Sequence, residues 1–362
     1  MSLKFNRGLK GIKPYVGGKQ KRDAQELYAA EDPVKLSSNE NPLGVSPAAL
    51  RNARKNLPGS NIYPDSTNID LREKIAGRFE ILPENVFVGS GADEIIYYAA
   101  MVMINDGDEV IIPEITFPIY EIAYRIMRAE IVQSSMRDLR IDLDDILRRI
   151  TPRTKTVCLC NPNNPTGHAI EREEVYRFIE SVPPDVLILM DEAYSEFADP
   201  ERFPDTVSKL KKGRKNLLIA RTFSKIYGLA GFRVGYGMGD PELIELLNRI
   251  KLPFNISIVS QNAALGAFED DEFLSETLRN TNEGKSFIYG ELDELGLEYT
   301  VSSTNFIFID TGRDGDLVTE QLMKSGVIVR SAKNYGTPTH IRVTVGTEAQ
   351  NQRFIEALKT LF

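Results

Sequence analysis

Short apolar runs alternate with helical stretches from Asn85 to Met238, and this alternation constrains the fold more than any other feature of the chain. The runs are rich in valine, isoleucine and leucine, a composition typical of parallel strands buried on both faces. They cover Val86–Val88, Glu109–Ile112, Glu130–Ser134, Thr156–Asn161, Val186–Asp191, Leu217–Thr222 and Arg233–Met238. The order predicts a three-layer α/β fold in which helices cover both faces of a doubly wound, mostly parallel sheet. We expect the last pair of strands to depart from this simple order.

The 362 residues of the chain allow one large domain and one small domain. We predict an N-terminal arm over residues 1–45, a large domain over residues 46–254 and a small α+β domain over residues 255–362. The arm is basic and contains several glycines. The C-terminal part has two long helical stretches and then short strands at Asn305–Asp310, Val327–Arg330 and His340–Val345. We expect the arm to complete the small domain.

Composition argues against several classes of protein. The net charge of -8 argues against a general nucleic-acid binder, which would carry a basic excess. The only cysteines, Cys158 and Cys160, alternate along one strand and need no disulfide. Two histidines give little material for a serine triad or a metal site, and no apolar run is long enough to cross a bilayer. These features predict a cytoplasmic protein without a nucleic-acid, membrane or metal partner.

The segment from Arg221 to Arg233 follows an apolar strand and holds a single lysine, Lys225, among small residues and hydroxyls. A lysine that loses hydration has a lowered pKa, and its neutral amine can then attack a carbonyl. Ser224 and Arg233 supply a hydroxyl and a fixed cation suited to a phosphate. The alternative is an exposed lysine loop after a strand, and the segment alone does not decide between the two.

Two further turns at strand ends are candidate ligand contacts. The segment from Gly89 to Glu94 follows a strand and opens an apolar helix, where free amides and the helix dipole favour a phosphate. Glycine turns of this kind also occur for packing reasons alone. Phe117 follows the next strand, where an aromatic ring either stacks on a flat ligand or packs in the core.

Amide and acidic side chains end two other strands. The segment from Asn161 to Gly167 contains three asparagines, more than one turn needs, and this favours an amide that faces a ligand. Asp191 leaves an apolar run at the edge where such a sheet binds its ligand. A buried carboxylate needs a cationic partner, which a protonated pyridine nitrogen would supply, and Tyr194 could reach the same ring. The alternative role for Asp191 is a helix cap.

Taken in order, these motifs resemble those of the fold-type I pyridoxal-phosphate aminotransferases, which share the fold of aspartate aminotransferase. The resemblance covers residues 11–362 and is carried by SNENP, GSGADE, NPNNPTG, DEAY, SKIYGLAGFR and IRVTVGT. Within that fold the motifs are most similar to those of histidinol-phosphate aminotransferases. The resemblance implies pyridoxal 5'-phosphate as cofactor and a homodimer in which the arm packs on the neighbouring subunit and each site is shared between subunits.

The resemblance also implies roles for individual residues. The catalytic residues would be Lys225, which bonds to the cofactor and moves a proton, Asp191, which keeps the ring nitrogen protonated, and Tyr194, which contacts the phenolic oxygen. Further cofactor contacts would come from Gly91, Ala92, Asp93, Phe117, Asn164, Thr222, Ser224 and Arg233, and from Tyr63 of the neighbouring subunit. Substrate contacts would come from Tyr15, Asn41, Arg330 and Arg342.

The function implied is transamination between L-histidinol phosphate and 2-oxoglutarate, a step of histidine biosynthesis. An aromatic amino-acid aminotransferase shares nearly all of these motifs and is the nearest alternative. A pyridoxal-phosphate decarboxylase of an amino-acid phosphate is another, and it would release carbon dioxide without needing a keto acid. A non-catalytic ligand sensor on this fold is disfavoured, because the sequence shows no separate DNA-binding domain.

Overall fold

The computed structural model describes residues 5–15 and 17–362. In chain order the helices are α1 Lys21–Tyr28, α2 Pro47–Asn56, α3 Ile69–Phe79, α4 Gly91–Met103, α5 Ile119–Ile126, α6 Leu143–Arg149, α7 Arg172–Ser181, α8 Thr206–Lys211, α9 Pro241–Ile250, α10 Ile258–Ala267, α11 Asp271–Leu295, α12 Gly315–Lys324 and α13 Glu348–Lys359. The strands are β1 Val34–Lys35, β2 Val86–Gly89, β3 Glu109–Pro113, β4 Glu130–Ser134, β5 Met136–Arg137, β6 Arg140–Ile141, β7 Thr154–Cys160, β8 Leu187–Asp191, β9 Leu217–Thr222, β10 Gly235–Met238, β11 Glu298–Tyr299, β12 Phe306–Asp310, β13 Val327–Ile328, β14 Arg330–Ser331 and β15 His340–Thr344.

Within the described residues, seven strands form the large sheet in the order β2-β10-β9-β8-β7-β3-β4. Five of them, β9, β8, β7, β3 and β4, run parallel to one another. The remaining pairs involve β10, which is antiparallel to both β2 and β9. The predicted three-layer α/β fold is therefore confirmed, and the simple order breaks at the last strand, as expected.

The alternation of side chains along β8 shows why the sheet is covered on both faces. Leu187 and Leu189 join a core with helices α4, α5 and α9, whereas Ile188 and Met190 join a core with α2, α3, α7 and α10. Successive residues of a strand point to opposite faces, so an unbroken apolar run serves both cores. Burial of one such side chain stabilises the folded state by roughly 1.5–3 kcal/mol. These side chains therefore strongly favour the observed position of β8 between the two cores.

A second sheet, the small sheet, has the order β11-β12-β15-β14 with antiparallel neighbours. The arm joins this part of the molecule through β1, which pairs in parallel with β13, Val34 opposite Val327. The predicted single strand Val327–Arg330 is wrong in one respect. The chain changes partners at Val329, so that Val327–Ile328 pairs with the arm and Arg330–Ser331 pairs with β15.

Helix α10 packs against α2, and its position bears on the division into domains. Ala263 and Ala264 are fully buried in the core of the large sheet, not in that of the small sheet. A Cβ on Gly266 would lie 2.6 Å from the carbonyl oxygen of Ala48, so only glycine allows this approach. We therefore propose that the large domain extends through α10, rather than ending at residue 254, and that the arm belongs with the small domain.

None of the helices in the described ranges is long and apolar enough to cross a membrane.

Candidate active site

The carboxyl ends of β7, β8 and β9 meet at one edge of the large sheet, and a cavity of about 260 Å³ lies beside them. Most of the residues predicted for the site line this cavity. They are Tyr15, Ala92, Asp93, Phe117, Asn164, Asp191, Tyr194, Thr222, Ser224, Lys225, Arg233, Arg330 and Arg342. Segments far apart in sequence therefore contribute to one site, as expected at the carboxyl edge of such a sheet.

Lys225 follows β9 and has the electrostatic setting of a nucleophilic amine. Burial in the cavity wall, and then the nearby Arg342 guanidinium, lower the pKa of Lys225 to about 8. Its Nζ lies 5.6 Å from the centre of the Tyr194 ring. A lysine with this pKa has a sizeable neutral fraction near neutral pH, which is the form that attacks a carbonyl.

Asp191 ends β8 and is almost completely buried, with 3% of its surface exposed. Its Oδ2 accepts a hydrogen bond of 2.6 Å from the Tyr120 hydroxyl, and its Oδ1 accepts one of 3.1 Å from the backbone N–H of Ala193. Burial is the main cause that raises the pKa of Asp191 to about 6. Both donors are neutral, so a cation beside this carboxylate would stabilise its ionised form.

A guanidinium, two hydroxyls and a helix N-terminus form a phosphate-binding arrangement at one end of the cavity. The Arg233 Nη1 lies 3.5 Å from the Ser224 Oγ, and its Nη2 lies 3.3 Å from the Asp93 carboxylate. The Thr222 and Ser224 hydroxyls are 3.0 Å apart. Helix α4 begins beside them at Gly91, whose φ of 76° is one that glycine adopts readily. We call this group the phosphate cup.

Arg342 reaches from the small sheet into the same cavity. Its Nη1 donates a hydrogen bond of 2.5 Å to the Asn164 Oδ1, and its Nη2 donates one of 2.9 Å to the carbonyl oxygen of Ser37. Its Nε is buried and has no hydrogen-bond partner among the described residues. The guanidinium is therefore held in place in the cavity wall through both of its Nη atoms.

The aromatic residues of the site are held at its rim and wall. The Phe117 ring meets the Tyr120 ring edge-on, with centroids 5.8 Å apart. Burial and then the neighbouring Tyr335 raise the pKa of Tyr15, while Arg330 and Arg342 act in the opposite direction. Tyr15 therefore keeps a neutral hydroxyl close enough to Arg330 and Arg342 to feel their charges.

Three predicted site residues, Gly91, Asn41 and Tyr63, do not line the cavity. Gly91 begins α4 beside it. Asn41 donates hydrogen bonds to the carbonyl oxygen of Ile226 at 2.9 Å and to the Thr277 hydroxyl at 3.1 Å, so its amide is engaged with the protein. Tyr63 is 78% exposed and stacks on Phe254, with ring centroids 4.5 Å apart. The substrate role of Asn41 and the cross-subunit role of Tyr63 stay predictions.

Two further residues contact predicted site residues and were not assigned from the sequence. Tyr120 supplies the hydroxyl on Asp191, and Asn39 Nδ2 donates a hydrogen bond of 2.9 Å to the Tyr194 hydroxyl. Asn39 belongs to the polar SNENP segment, which is a usable signal. For Tyr120 the only hint is its place one helical turn after Phe117.

A buried ion pair lies directly behind the site. Arg221 donates to the Glu192 Oε2 from Nε at 3.0 Å and from Nη2 at 2.7 Å, and the Thr206 hydroxyl donates to Oε1 at 2.5 Å. The backbone N–H of Glu192 donates to the carbonyl oxygen of Ala220 at 2.8 Å. These bonds join the ends of β8 and β9, where Asp191 and Thr222 lie.

The arrangement fits pyridoxal phosphate. The phosphate cup supplies cationic and neutral donors for a dianion, Asp191 offers a carboxylate without a charged hydrogen-bond partner, and Lys225 offers an amine with a lowered pKa. A flat ring with a phosphate on one side, a basic nitrogen on the other and a carbonyl between them needs these three kinds of group.

Comparison with known proteins agrees with this fit. The model of the family "Aminotransferase class I and II" matches residues 31–358. Histidinol-phosphate aminotransferase of Moorella thermoacetica is 41% identical over 358 residues, which are 99% of this chain and 93% of that protein. Histidinol-phosphate aminotransferase 2 of Carboxydothermus hydrogenoformans is 41% identical over 354 residues, which are 98% of this chain and 98% of that protein.

Solved structures give the same relationship. The crystal structure of histidinol-phosphate aminotransferase from Sinorhizobium meliloti in complex with pyridoxal-5'-phosphate superposes with a TM-score of 0.90 at 25% identity, covering 100% of this chain and 99% of that one. Aspartate aminotransferase from Thermus thermophilus with maleate shares the fold, with a TM-score of 0.86 at 22% identity and 100% of both chains covered. The chain belongs to the class I and II aminotransferases, a family of transaminases that depend on pyridoxal phosphate.

Proposed function

We propose that this chain transfers the amino group of L-histidinol phosphate to 2-oxoglutarate, giving imidazole acetol phosphate and glutamate. The observation that carries the proposal is the presence of Arg330 and Arg342 in the cavity, in addition to the Arg233 of the phosphate cup. Its relatives with 41% identity are named histidinol-phosphate aminotransferase, which supports the same substrate. A donor with its own phosphate suits a cavity with this additional positive charge.

The bound cofactor supplies an electron sink that stabilises negative charge on the substrate carbon. Lys225 takes and returns the proton of that carbon through Nζ, and its lowered pKa matches such a proton transfer near neutral pH. Asp191 would hold the proton on the ring nitrogen, and Tyr194 and Asn164 would bind the phenolic oxygen. Phe117 would stack on the ring, and the phosphate cup would hold the phosphate.

The amino donor lies between the cofactor and the arm in this proposal. In this proposal Arg342 supplies the positive charge that attracts the phosphate of histidinol phosphate in one half-reaction and a carboxylate of the keto acid in the other. Tyr15 and Arg330 line the same side of the cavity and complete the pocket. The engaged amide of Asn41 would act there by holding the segment that carries Lys225, through the carbonyl oxygen of Ile226.

The enzyme acts as a homodimer in this proposal, with Tyr63 of each subunit at the phosphate of the other. An exposed apolar surface supports the dimer. Its members, which lie on neighbouring segments of the chain, are Leu57, Ile62, Tyr63, Leu252 and Phe254, and each is more than a third exposed. Tyr63 and Phe254 stack on each other, and exposed apolar groups of this kind are typical of protein interfaces.

Steady-state kinetics test the substrate. We expect kcat/KM for histidinol phosphate, with 2-oxoglutarate as acceptor, to exceed the values for phenylalanine and tyrosine at the same pH. A donor without phosphate leaves buried donors unsatisfied at about 1–3 kcal/mol each, or roughly 5–150-fold in kcat/KM per group. Equal or better use of an aromatic amino acid would replace the proposal with aromatic transamination, and carbon dioxide release without a keto acid would replace it with decarboxylation.

A further inference from the structure

Asn39 lies at the point where three parts of the chain meet. It follows the arm strand β1, and its side chain is 1% exposed. Its amide contacts Tyr194, which follows β8 of the large sheet, and Thr344, the last residue of β15 in the small sheet. Its carbonyl oxygen accepts a hydrogen bond of 3.1 Å from the Asn305 amide. One residue thus connects the arm and both sheets at the cavity.

The hydrogen bonds of Asn39 have a fixed direction. Its backbone N–H can only donate, and it does so to the Thr344 hydroxyl oxygen at 2.9 Å. The Thr344 hydroxyl donates in turn to the Asn39 Oδ1 at 3.3 Å. With its oxygen turned to Thr344, the amide presents its NH₂ to Tyr194, and Nδ2 donates to the Tyr194 hydroxyl oxygen at 2.9 Å.

This direction determines what the Tyr194 hydroxyl can do. Because its oxygen accepts from Asn39, its own hydrogen cannot lie along that contact and is available for another acceptor. Burial raises the pKa of Tyr194 above its ordinary value, so the hydroxyl keeps that hydrogen at neutral pH. Tyr194 lines the cavity, and the cofactor's phenolic oxygen is the acceptor that the proposed function places next to it.

We propose that Asn39 is a positioning residue that keeps the Tyr194 hydroxyl a hydrogen-bond donor to the cofactor's phenolic oxygen, with Thr344 setting the orientation of the Asn39 amide. The proposal rests on the role given to Tyr194 in the proposed function. It links the small sheet to the cofactor, because a change at Thr344 alters the donor on Tyr194 through Asn39.

The backbone conformation of residue 39 limits which side chains can donate a hydrogen bond to the Tyr194 hydroxyl. Asn39 has a φ of 55°, in the left-handed region that asparagine, aspartate and glycine tolerate best. Glycine has no amide to donate. Aspartate has the same shape, but its ionised carboxylate only accepts, so it would take the Tyr194 hydrogen for itself. Asparagine is the residue of the three that donates.

The experiment measures the bound cofactor without any amino donor. The holoenzyme is titrated with acid and base, and the pH midpoint of the change in the cofactor's visible absorption is recorded for each variant. A donor to the phenolic oxygen stabilises its anionic form, which lowers the midpoint. We expect Tyr194→Phe to raise the midpoint, and Asn39→Asp to raise it by a similar amount, because the reversed hydrogen bond removes the same donor.

Two controls separate hydrogen-bond direction from the added charge and from packing. Asn305→Asp places a carboxyl next to the backbone carbonyl of Asn39 instead of at the Tyr194 hydroxyl. It should shift the midpoint much less than Asn39→Asp. In a Tyr194→Phe background, Asn39→Asp should produce no more shift than Asn305→Asp does. A shift in that background equal to the shift in the parent enzyme would overturn the proposal, as would an Asn39→Asp midpoint equal to that of the parent.

A third variant keeps the proposal testable if Asn39→Asp does not fold or bind cofactor. Thr344→Val removes the hydroxyl that holds the Asn39 amide while keeping the side-chain shape. We expect it to raise the midpoint in the same direction, by less than Tyr194→Phe, and an unchanged midpoint would contradict the role of Thr344 and Asn39. Because no substrate is present, these outcomes do not depend on whether histidinol phosphate is the amino donor.

Discussion

The hydroxyl of Tyr120 donates a hydrogen bond of 2.6 Å to the Asp191 Oδ2, and both side chains are buried. The bond connects the helix α5 to the end of β8. Together with the Ala193 N–H it gives each carboxylate oxygen one neutral donor. The protein without cofactor therefore holds a buried acid whose negative charge is solvated only in part, and this has measurable consequences.

The first consequence concerns stability and pH. The pKa of Asp191 is about 6 in the folded protein against an ordinary 3.8, so between these values the folded state binds more protons and stability falls as pH rises. At about 1.4 kcal/mol per pKa unit, the cost above pH 6 is on the order of 3 kcal/mol. We expect cofactor-free Asp191→Asn to gain stability relative to the parent between about pH 4 and 6. Denaturant unfolding at several pH values measures this, and a difference independent of pH would contradict it.

The same substitution should abolish most of the activity. With cofactor bound, Asp191→Asn loses the charge that holds the ring proton, and loss of a buried ionic partner costs about 3–5 kcal/mol. This corresponds to roughly 10²–10⁴ in kcat. Tyr120→Phe serves as a graded control, since loss of one neutral hydrogen bond costs about 1 kcal/mol, or roughly fivefold. Near-normal turnover of Asp191→Asn would reduce Asp191 to a structural cap.

Lys225→Ala should keep the fold and bind cofactor, yet lose about 10²–10⁴ in rate or more, because a positioned proton carrier is gone. Borohydride reduction followed by peptide mapping checks the assignment. The cofactor label should fall on Lys225. Lys285 is the matched control, since it is also buried, has a lowered pKa and donates to the carbonyl oxygen of Ser302 away from the cavity. A label on Lys285 or any other lysine would show that the assignment is wrong.

The ion pair behind the site should be important to stability when only one partner is removed. Arg221→Met leaves the Glu192 carboxylate buried without its cation, at a cost of about 3–5 kcal/mol. Adding Glu192→Gln should recover much of that loss, because the stranded charge is then absent. The exposed pair Lys74 and Glu269 is the control, and Lys74→Met should cost about 1 kcal/mol or less. Equal losses at the two sites would contradict the importance of burial.

A site shared between subunits can be tested by mixing chains. Subunits with Tyr63→Phe are combined with subunits carrying Lys225→Ala, and the hybrid dimers are purified and assayed at limiting cofactor. Each hybrid should contain one site with an intact Lys225 and an intact Tyr63 from the other subunit, so activity should reappear. Hybrids with no more activity per intact Lys225 than the Tyr63→Phe homodimer would contradict a Tyr63 contribution from the other subunit.

The strands of the large sheet were predictable within about two residues because most of them are short buried runs rich in branched side chains. The exceptions are β4, which is partly exposed, and β10, which reads Gly-Tyr-Gly-Met. Helix α1, Lys21–Tyr28, was missed because Ala24 is its one buried residue and most of its other side chains are charged or polar. The change of partner at Val329 was also missed. Val327 and Arg330 look like parts of one strand locally, and only the position of the arm separates them.

The site residues that could not be predicted from the sequence were missed for the same physical reason. Lys225 and Asp191 could be identified because their chemistry is unusual beside apolar strands. Asn39 and Tyr120 contact Tyr194 and Asp191, which lie far away in sequence. The polar SNENP segment indicates that Asn39 is unusual, but no local pattern reports its partner. Residues that touch a ligand leave a signal in composition, whereas those that orient them are visible only in three dimensions.

The position of β10 has a consequence for how the enzyme is made. In the described sheet, β2 is hydrogen-bonded only to β10, so the start of α4 is joined to the other strands through a segment that leaves the ribosome much later. Gly235 also lies where a Cβ would be 2.5 Å from the carbonyl carbon of Gly91, which fixes that turn against β10. A nascent chain that ends before Gly235 therefore lacks the strand against which this turn packs. We expect cofactor capture only after that strand has entered the sheet.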